Sequence, residues 1–265
     1  MSTLAICWDM VLTSAREQMQ YRSNFLIEVA FGLVFQTLGF AFIWVVVGQV
    51  SAIGGWSLAE VTLLYGIQLA GGSLWALAFS RLMLIEGLVR EGEYDRMLVR
   101  PLPLALQFMF GGFRIATLGE VLSAVVLLVA GVTAVDIAWT VPKGFYFVLA
   151  IAGSAMIRGA FELLPAALTF RYLTSSPMWV INGIFTEFGG YPLTIFERRL
   201  RGFLTFLVPV AFIAWVPGAV LLDRTAELPV PAWIAWSSPL IGVVLLAFAW
   251  WVFLRESRMY QSTGS

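Results

Sequence analysis

Glu120, Arg158 and Glu162 are ionisable residues set inside stretches that are otherwise apolar. Arg158 and Glu162 stand four residues apart, which puts them on one face of a helix. An unpaired charge at membrane depth costs roughly 2.5–3.5 kcal/mol on insertion scales, so these side chains are expected to face inward and to have partners. Two readings fit the pair. It lines or gates a route for a solute, or it is a structural intrahelical pair packed at an interface with another copy of the chain. Pro165, just beyond, would kink the helix and free a carbonyl under either reading. Glu120 would lie about 9 Å deeper than a span starting at Ile115. A cationic solute would find Glu120 and Glu162 attractive, an expectation that rests on depth alone.

The other chemistry-bearing residue types are scarce. There is no histidine, which removes the commonest metal ligand and general base. Cys7 is the sole cysteine, so an internal disulfide is excluded and a thiolate metal site is not expected. The only lysine, Lys143, follows Pro142 rather than glycine, so the phosphate-binding loop G-x-x-x-x-G-K-[ST] is absent. The four aspartates, Asp9, Asp95, Asp136 and Asp223, all fall in polar segments, leaving no paired aspartates at membrane depth. No catalytic residue, metal site or cofactor is expected in this chain. The balance of 16 basic and 16 acidic residues carries no nucleic-acid signal.

The elements that must position these charges are transmembrane helices. Of 265 residues, 60% are hydrophobic and 12% charged, against about a quarter charged in soluble domains. Several separate apolar runs reach the roughly 20 residues needed to cross the hydrocarbon core. The expected fold is an all-α integral membrane domain of six spans covering 1–265. The spans are expected over 25–47, 58–82, 115–133 (with a start nearer Leu104 as the alternative), 145–170, 202–222 and 233–254. Residues 1–24 read as an amphipathic helix on the membrane surface, with Leu4, Trp8, Val11, Leu12, Ala15 and Met19 on one face. Residues 175–201, interrupted by glycine and proline, read as a broken helix along the cytoplasmic interface. Between 200 and 240, Pro209, Pro217, Pro229, Pro231 and Pro239 leave two readings open, a clean span or a re-entrant hairpin before the last span.

Basic residues set the orientation. With a cytoplasmic N-terminus, twelve arginines fall inside, the cluster Arg198, Arg199 and Arg201 among them, against only Lys143 and Arg224 outside. Both termini are then cytoplasmic. Trp56, Trp139, Trp233 and Trp236 would form an outer aromatic belt.

Residues 84–103 form the longest polar stretch. Charged residues from Glu86 to Arg100 alternate there with Leu84, Ile85, Leu88, Val89, Met97, Leu98 and Val99, which predicts a short amphipathic helix broken at Gly92 and stopped at Pro101. A solvated loop is the plainer reading. The run Gly87, Gly92, Asp95, Arg96, Leu98, Arg100, Pro101, Leu102 resembles the first cytoplasmic loop of ABC-2 type exporter permeases. The resemblance is nearest to the small bacterial branch that includes viologen-exporter-like permeases. The stretch Tyr191–Phe196, then Leu204, Thr205, Phe206, Pro209, Ala211, Phe212 and Pro217, is also similar to that branch.

The resemblance implies a permease in the cell membrane that exports a small molecule or a lipid-like or cationic drug. It implies a cytoplasmic ABC ATPase partner holding the ATP and Mg, and a second permease chain, in a homodimer or a paralogous heterodimer. Glu86, Gly87, Arg90, Gly92, Asp95, Arg96 and Arg100 would belong to the coupling helix seated in the ATPase. Two rivals are an ion-coupled secondary transporter using Glu120, Arg158 and Glu162, and a non-transporting membrane scaffold.

Overall fold

A computed structural model describes residues 3–20, 22–50, 52–112, 114, 116–174 and 176–260, and these are helical nearly throughout. In chain order the helices are α1 (Thr3–Met19), α2 (Arg22–Val50), α3 (Leu58–Phe79), α4 (Ile85–Arg90) and α5 (Glu93–Leu98). There follow α6 (Leu104–Phe110), α7 (Ala116–Ala134), α8 (Val141–Tyr172), α9 (Ser176–Phe188) and α10 (Arg198–Gly202). The last three are α11 (Trp215–Leu221), α12 (Ala232–Trp236) and α13 (Ser238–Arg258). A 3-10 turn, Ser80–Leu84, joins α3 to α4, so Leu58–Arg90 is one continuous apolar rod.

Among the described residues, four helices are long and apolar enough to cross a membrane: Leu58–Arg90, Thr117–Ala134, Val141–Tyr172 and Ser238–Arg258. Of the expected spans, the first falls in α2, whose described apolar stretch is Leu26–Phe42, shorter than these four. Apolar side chains such as Leu122, Val126, Val129, Val148, Leu240 and Val244 point outward, uncovered. Such exposure suits hydrocarbon and would be unfavourable in water. Inside, α3 is the central post, buried along most of its length between α7 and α8. It starts with a capping box, in which the Ser57 side chain accepts from the Glu60 N–H and Glu60 accepts from the Ser57 N–H.

Small residues set the helix spacing. Gly66 abuts the backbone of α7 at Leu127 and Leu128, and Gly159 lies under the Trp75 ring, so both serve packing within the chain. α8 and α13 also approach closely: a Cβ on Gly153 would meet the Pro239 Cα at 2.7 Å, and one on Gly242 the Gly153 carbonyl oxygen at 2.6 Å. Gly153→Val is therefore expected to destabilise by about 1–3 kcal/mol, because backbone rather than a movable side chain must yield. Thermal unfolding of the detergent-solubilised variant reads this directly, and an unchanged midpoint would refute the tight crossing.

The helices define two ends. The proximal end gathers α1, α4, α5, α6, the end of α8 and Tyr260, where Tyr94 packs on Phe170 and Tyr260. Both ends of the described chain lie here. The distal end gathers the turn Ile53–Trp56, the start of α8 and residues 222–237. There Lys143 donates to the Leu221 carbonyl (2.9 Å) and Asp223 (2.7 Å), while Arg224 donates to Glu60 (2.8 Å) and stacks on Trp56.

This frame corrects the reading of 175–222. The Thr194 hydroxyl donates to the Gly54 carbonyl at 2.8 Å, so residues 194 and 221–224 both meet the distal end. A segment that starts and finishes at one end does not cross. Arg198–Leu207 and Val210–Leu221 are the two legs of a re-entrant segment, bent by 72° at Pro209 after a π-helical turn, Phe203–Leu207. Gly218 on the second leg rests on Leu64, about 9 Å into α3. The single span expected over 202–222 is thus replaced by a hairpin. The pass from proximal to distal end is made by α9 and residues 189–196, not by a helix lying flat along one interface. α9 has 13 residues, fewer than a full crossing needs.

Two further expectations change. Arg198, Arg199 and Arg201 stand at the distal end, so the basic count becomes nine proximal against five distal. Trp56 is fully buried beneath Arg224 and does not join an aromatic belt, whereas Trp139, Trp233 and Trp236 are exposed at that end. The N-terminal helix forms; Cys7 on it is buried and Met10 reaches Gly111, whereas Trp8 is turned away at 63% exposure. The side chains of Leu4, Ala15 and Met19 lie outside the described residues.

Candidate functional site

A polar cavity of about 160 Å³ lies between α2, α3, α7, α8 and α9. Gln36, Tyr65, Gln68, Glu120, Arg158 and Asn182 supply most of its polar lining. The Tyr65 hydroxyl donates to Gln36 Oε1 (3.3 Å), and Gln68 Nε2 donates to the Phe185 carbonyl (3.4 Å). Gln68 Oε1 is buried without a partner among the described residues. An orphaned amide oxygen beside a wet-sized cavity is where a water or a ligand donor would sit.

Arg158 and Glu162 are paired as their spacing predicts: Arg158 Nε donates to Glu162 Oε1 at 3.2 Å, and the side chains are 17% and 5% exposed. Trp75 Nε1 donates to the other carboxylate oxygen at 2.7 Å, and Arg158 Nη2 donates to Asn182 Oδ1. The carboxylate is thus held by two donors from two helices, which meets the demand that a buried charge be paired and hydrogen-bonded. Gly72 makes room, since a Cβ there would lie 2.8 Å from Arg158 Nη1. Glu120 feels the Arg158 charge across the cavity but has no ion pair within 4 Å among the described residues. The three charges singled out from the sequence therefore converge. Arg158 and Glu120 line the cavity; Glu162 stands behind Arg158, inside the chain, as its support.

At the proximal end the polar stretch folds as its pattern predicts. α4 ends at Arg90 with Glu91 as its cap, Gly92 turns the chain with φ +69°, and α5 follows. A left-handed backbone there favours glycine. Leu88, Val89, Tyr94 and Met97 pack inward, while Arg90, Glu91, Arg96 and Arg100 are exposed. Tyr94 is wholly buried, and burial pushes its hydroxyl up to about 12. Glu86 pairs with Arg90 along α4, and Glu93 accepts from Arg81 at 3.5 Å. The fully buried Gln107 on α6 clamps the return: its Nε2 donates to the Met97 and Leu102 carbonyls, each at 2.9 Å. The result is a rigid, charged elbow fused to the end of a membrane helix.

The sequence profile of the ABC-2 family transporter proteins matches residues 33–264. The chain belongs to the ABC-2 transporter family. No curated protein matches it, and neither does any solved structure. ABC-2 membrane chains are transport subunits, so this is a multi-pass membrane protein of a transporter.

Within this ABC-2 chain, sequence reasoning found the charges and missed the amides. Gln36, Gln68 and Asn182 complete the cavity, and Gln107 fixes the elbow. A signal was present, because each is a carboxamide inside an apolar run, where hydrogen-bonding groups find partners or line water. Trp75 carried no such signal, since its N–H to Glu162 depends on how α3 and α8 cross.

Proposed function

We propose that this chain is the permease subunit of an ATP-driven exporter whose ATPase is a separate polypeptide. The observation that supports it best is the elbow α4–Gly92–α5 in an ABC-2 chain. It is a charged, internally braced projection continuous with the central span α3, suited to convey a push from a partner into the helices around the cavity. Glu86, Gly87, Arg90, Gly92, Asp95, Arg96 and Arg100 form the seat for the ATPase, and ATP with its Mg is held by that partner. The proximal end, with both termini, is the cytoplasmic one, a reading supported by nine basic residues there against five at the distal end. A second permease chain, a copy or a paralogue, completes the transporter.

The cavity lies on the substrate route. At about 160 Å³ it is smaller than the 300–1,000 Å³ typical of drug-sized sites, so transport requires it to widen between α2 and α9. Glu120 and Arg158 offer polar contacts to a small-molecule, lipid-like or cationic substrate.

The test is co-purification with the ATPase encoded beside the gene, with ATP hydrolysis followed in nanodiscs. Wild type is expected to form a stable complex. Changing Asp95 and Arg96 together to alanine is expected to lower complex recovery or permease-dependent hydrolysis at least fivefold. Solute movement by the chain alone down an ion gradient, with no ATPase bound, would replace this reading with a secondary transporter.

A further inference from the structure

A second polar pocket, of about 480 Å³, opens at the proximal end between α1 and the start of the elbow. Asp9, Thr13 and Ser14 of α1 face Arg81 and Arg100 across it, with Met10 at its side. Arg81 is fixed by its own backbone contact, Nη1 donating to the Gly111 carbonyl at 2.9 Å, and leans on Glu93 at 3.5 Å. Arg100 is exposed, makes no ion pair within 4 Å among the described residues, and is near enough to repel Arg81. Asp9 likewise has no ion pair within 4 Å among the described residues. One pocket thus presents two neighbouring guanidiniums and, apart from them, a carboxylate that neutralises neither.

Separated charges of both signs match a dipolar ligand better than a simple anion. The surroundings point to the membrane as its source. Trp8 is 63% exposed on α1, and Leu98 and Val99, next to Arg100, are 47% and 83% exposed. Tryptophan and bare apolar side chains flanking basic groups are the signature of the headgroup layer. We propose that this pocket binds the phosphoethanolamine head group of a membrane phospholipid. Arg81 and Arg100 take the phosphate through charge-assisted hydrogen bonds. Asp9 takes the primary ammonium, with the Thr13 hydroxyl oxygen beside it; that hydroxyl already donates to the Asp9 carbonyl at 2.7 Å and so is free to accept. A choline head group, whose nitrogen has no N–H, loses the second contact. The lipid would pin α1 to the elbow. The inference needs only that the chain lies in a membrane, not that it transports anything.

The test uses the full chain without an ATPase, delipidated in detergent and then offered phosphatidylethanolamine, phosphatidylglycerol or phosphatidylcholine. Native mass spectrometry reads retained lipid. Wild type is expected to retain phosphatidylethanolamine at least fivefold over the other two. Asp9→Asn should erase that preference by weakening phosphatidylethanolamine while sparing phosphatidylglycerol, a shift that misfolding cannot mimic. Arg100→Gln should lower all three several-fold. Equal retention of the three lipids by wild type would overturn the proposal, as would an unchanged preference in Asp9→Asn. Competition by millimolar inorganic phosphate as effective as lipid would mark a free-anion site and overturn the lipid assignment. Lipid binding untouched by Arg100→Gln would overturn it too.

Discussion

Glu162→Ala is expected to destabilise the chain by about 3–5 kcal/mol, the usual loss when one member of a buried ion pair is removed. The magnitude follows from what remains. Arg158 would keep its charge at 17% exposure with Asn182 as its remaining side-chain partner among the described residues, and the Trp75 N–H would lose its acceptor. Glu162→Gln preserves the shape and should cost less, about 1.5–3 kcal/mol, since it removes a charged hydrogen-bond acceptor but leaves an oxygen. Replacing both partners at once, Arg158→Met with Glu162→Leu, removes the stranded charge. The double variant should therefore be closer to wild type than Glu162→Ala, because an apolar pair of similar volume avoids the desolvation penalty. Unfolding of these variants, with Arg158→Met and Glu162→Leu as single changes beside them, in one detergent measures this. If the double variant loses as much as the sum of its single changes, the pair has no coupling and its burial is incidental.

Sidedness labelling should give an all-or-none result for the hairpin. In a Cys7→Ser background, Arg199→Cys is expected to react with a membrane-impermeant maleimide from the same side as Asp136→Cys. Glu91→Cys should be reached only from the opposite side. The expectation rests on the Thr194 contact with Gly54 and on the return of the chain to Lys143 and Arg224 at the same end. Labelling of Arg199→Cys together with Glu91→Cys would restore a single crossing over 202–222. The result also bears on topology, because three arginines on the distal side weaken the charge asymmetry without reversing it.

The basic cluster shows where sequence reading met its limit. Positive charge reports sidedness only once the spans are known, and 175–222 has no clean span. Five prolines between 200 and 240 disrupt helix periodicity equally for a kinked span and for a hairpin. The choice was made by contacts across more than a hundred residues, such as Thr194 with Gly54. Irregular backbone is tolerated at that depth because α11 is wholly buried against α3 and α8.

The sequence by itself determined that this is a helical membrane protein, because apolar runs of membrane length have no other stable home. It determined the elbow, because glycine at 92 and proline at 101 act locally. It also determined that Arg158 and Glu162 would pair, since i and i+4 meet on any helix. Only the tertiary structure decided that Trp75 caps the pair and that Glu120 shares a cavity with Arg158. It alone decided that Gln107 clamps the elbow and that residues 198–221 turn back. Trp75 with Glu162, Glu120 with Arg158 and the anchors of the turned-back segment join residues far apart in the chain. The Gln107 clamp, though it spans only five and ten positions, likewise depends on which faces pack together, which no local pattern encodes.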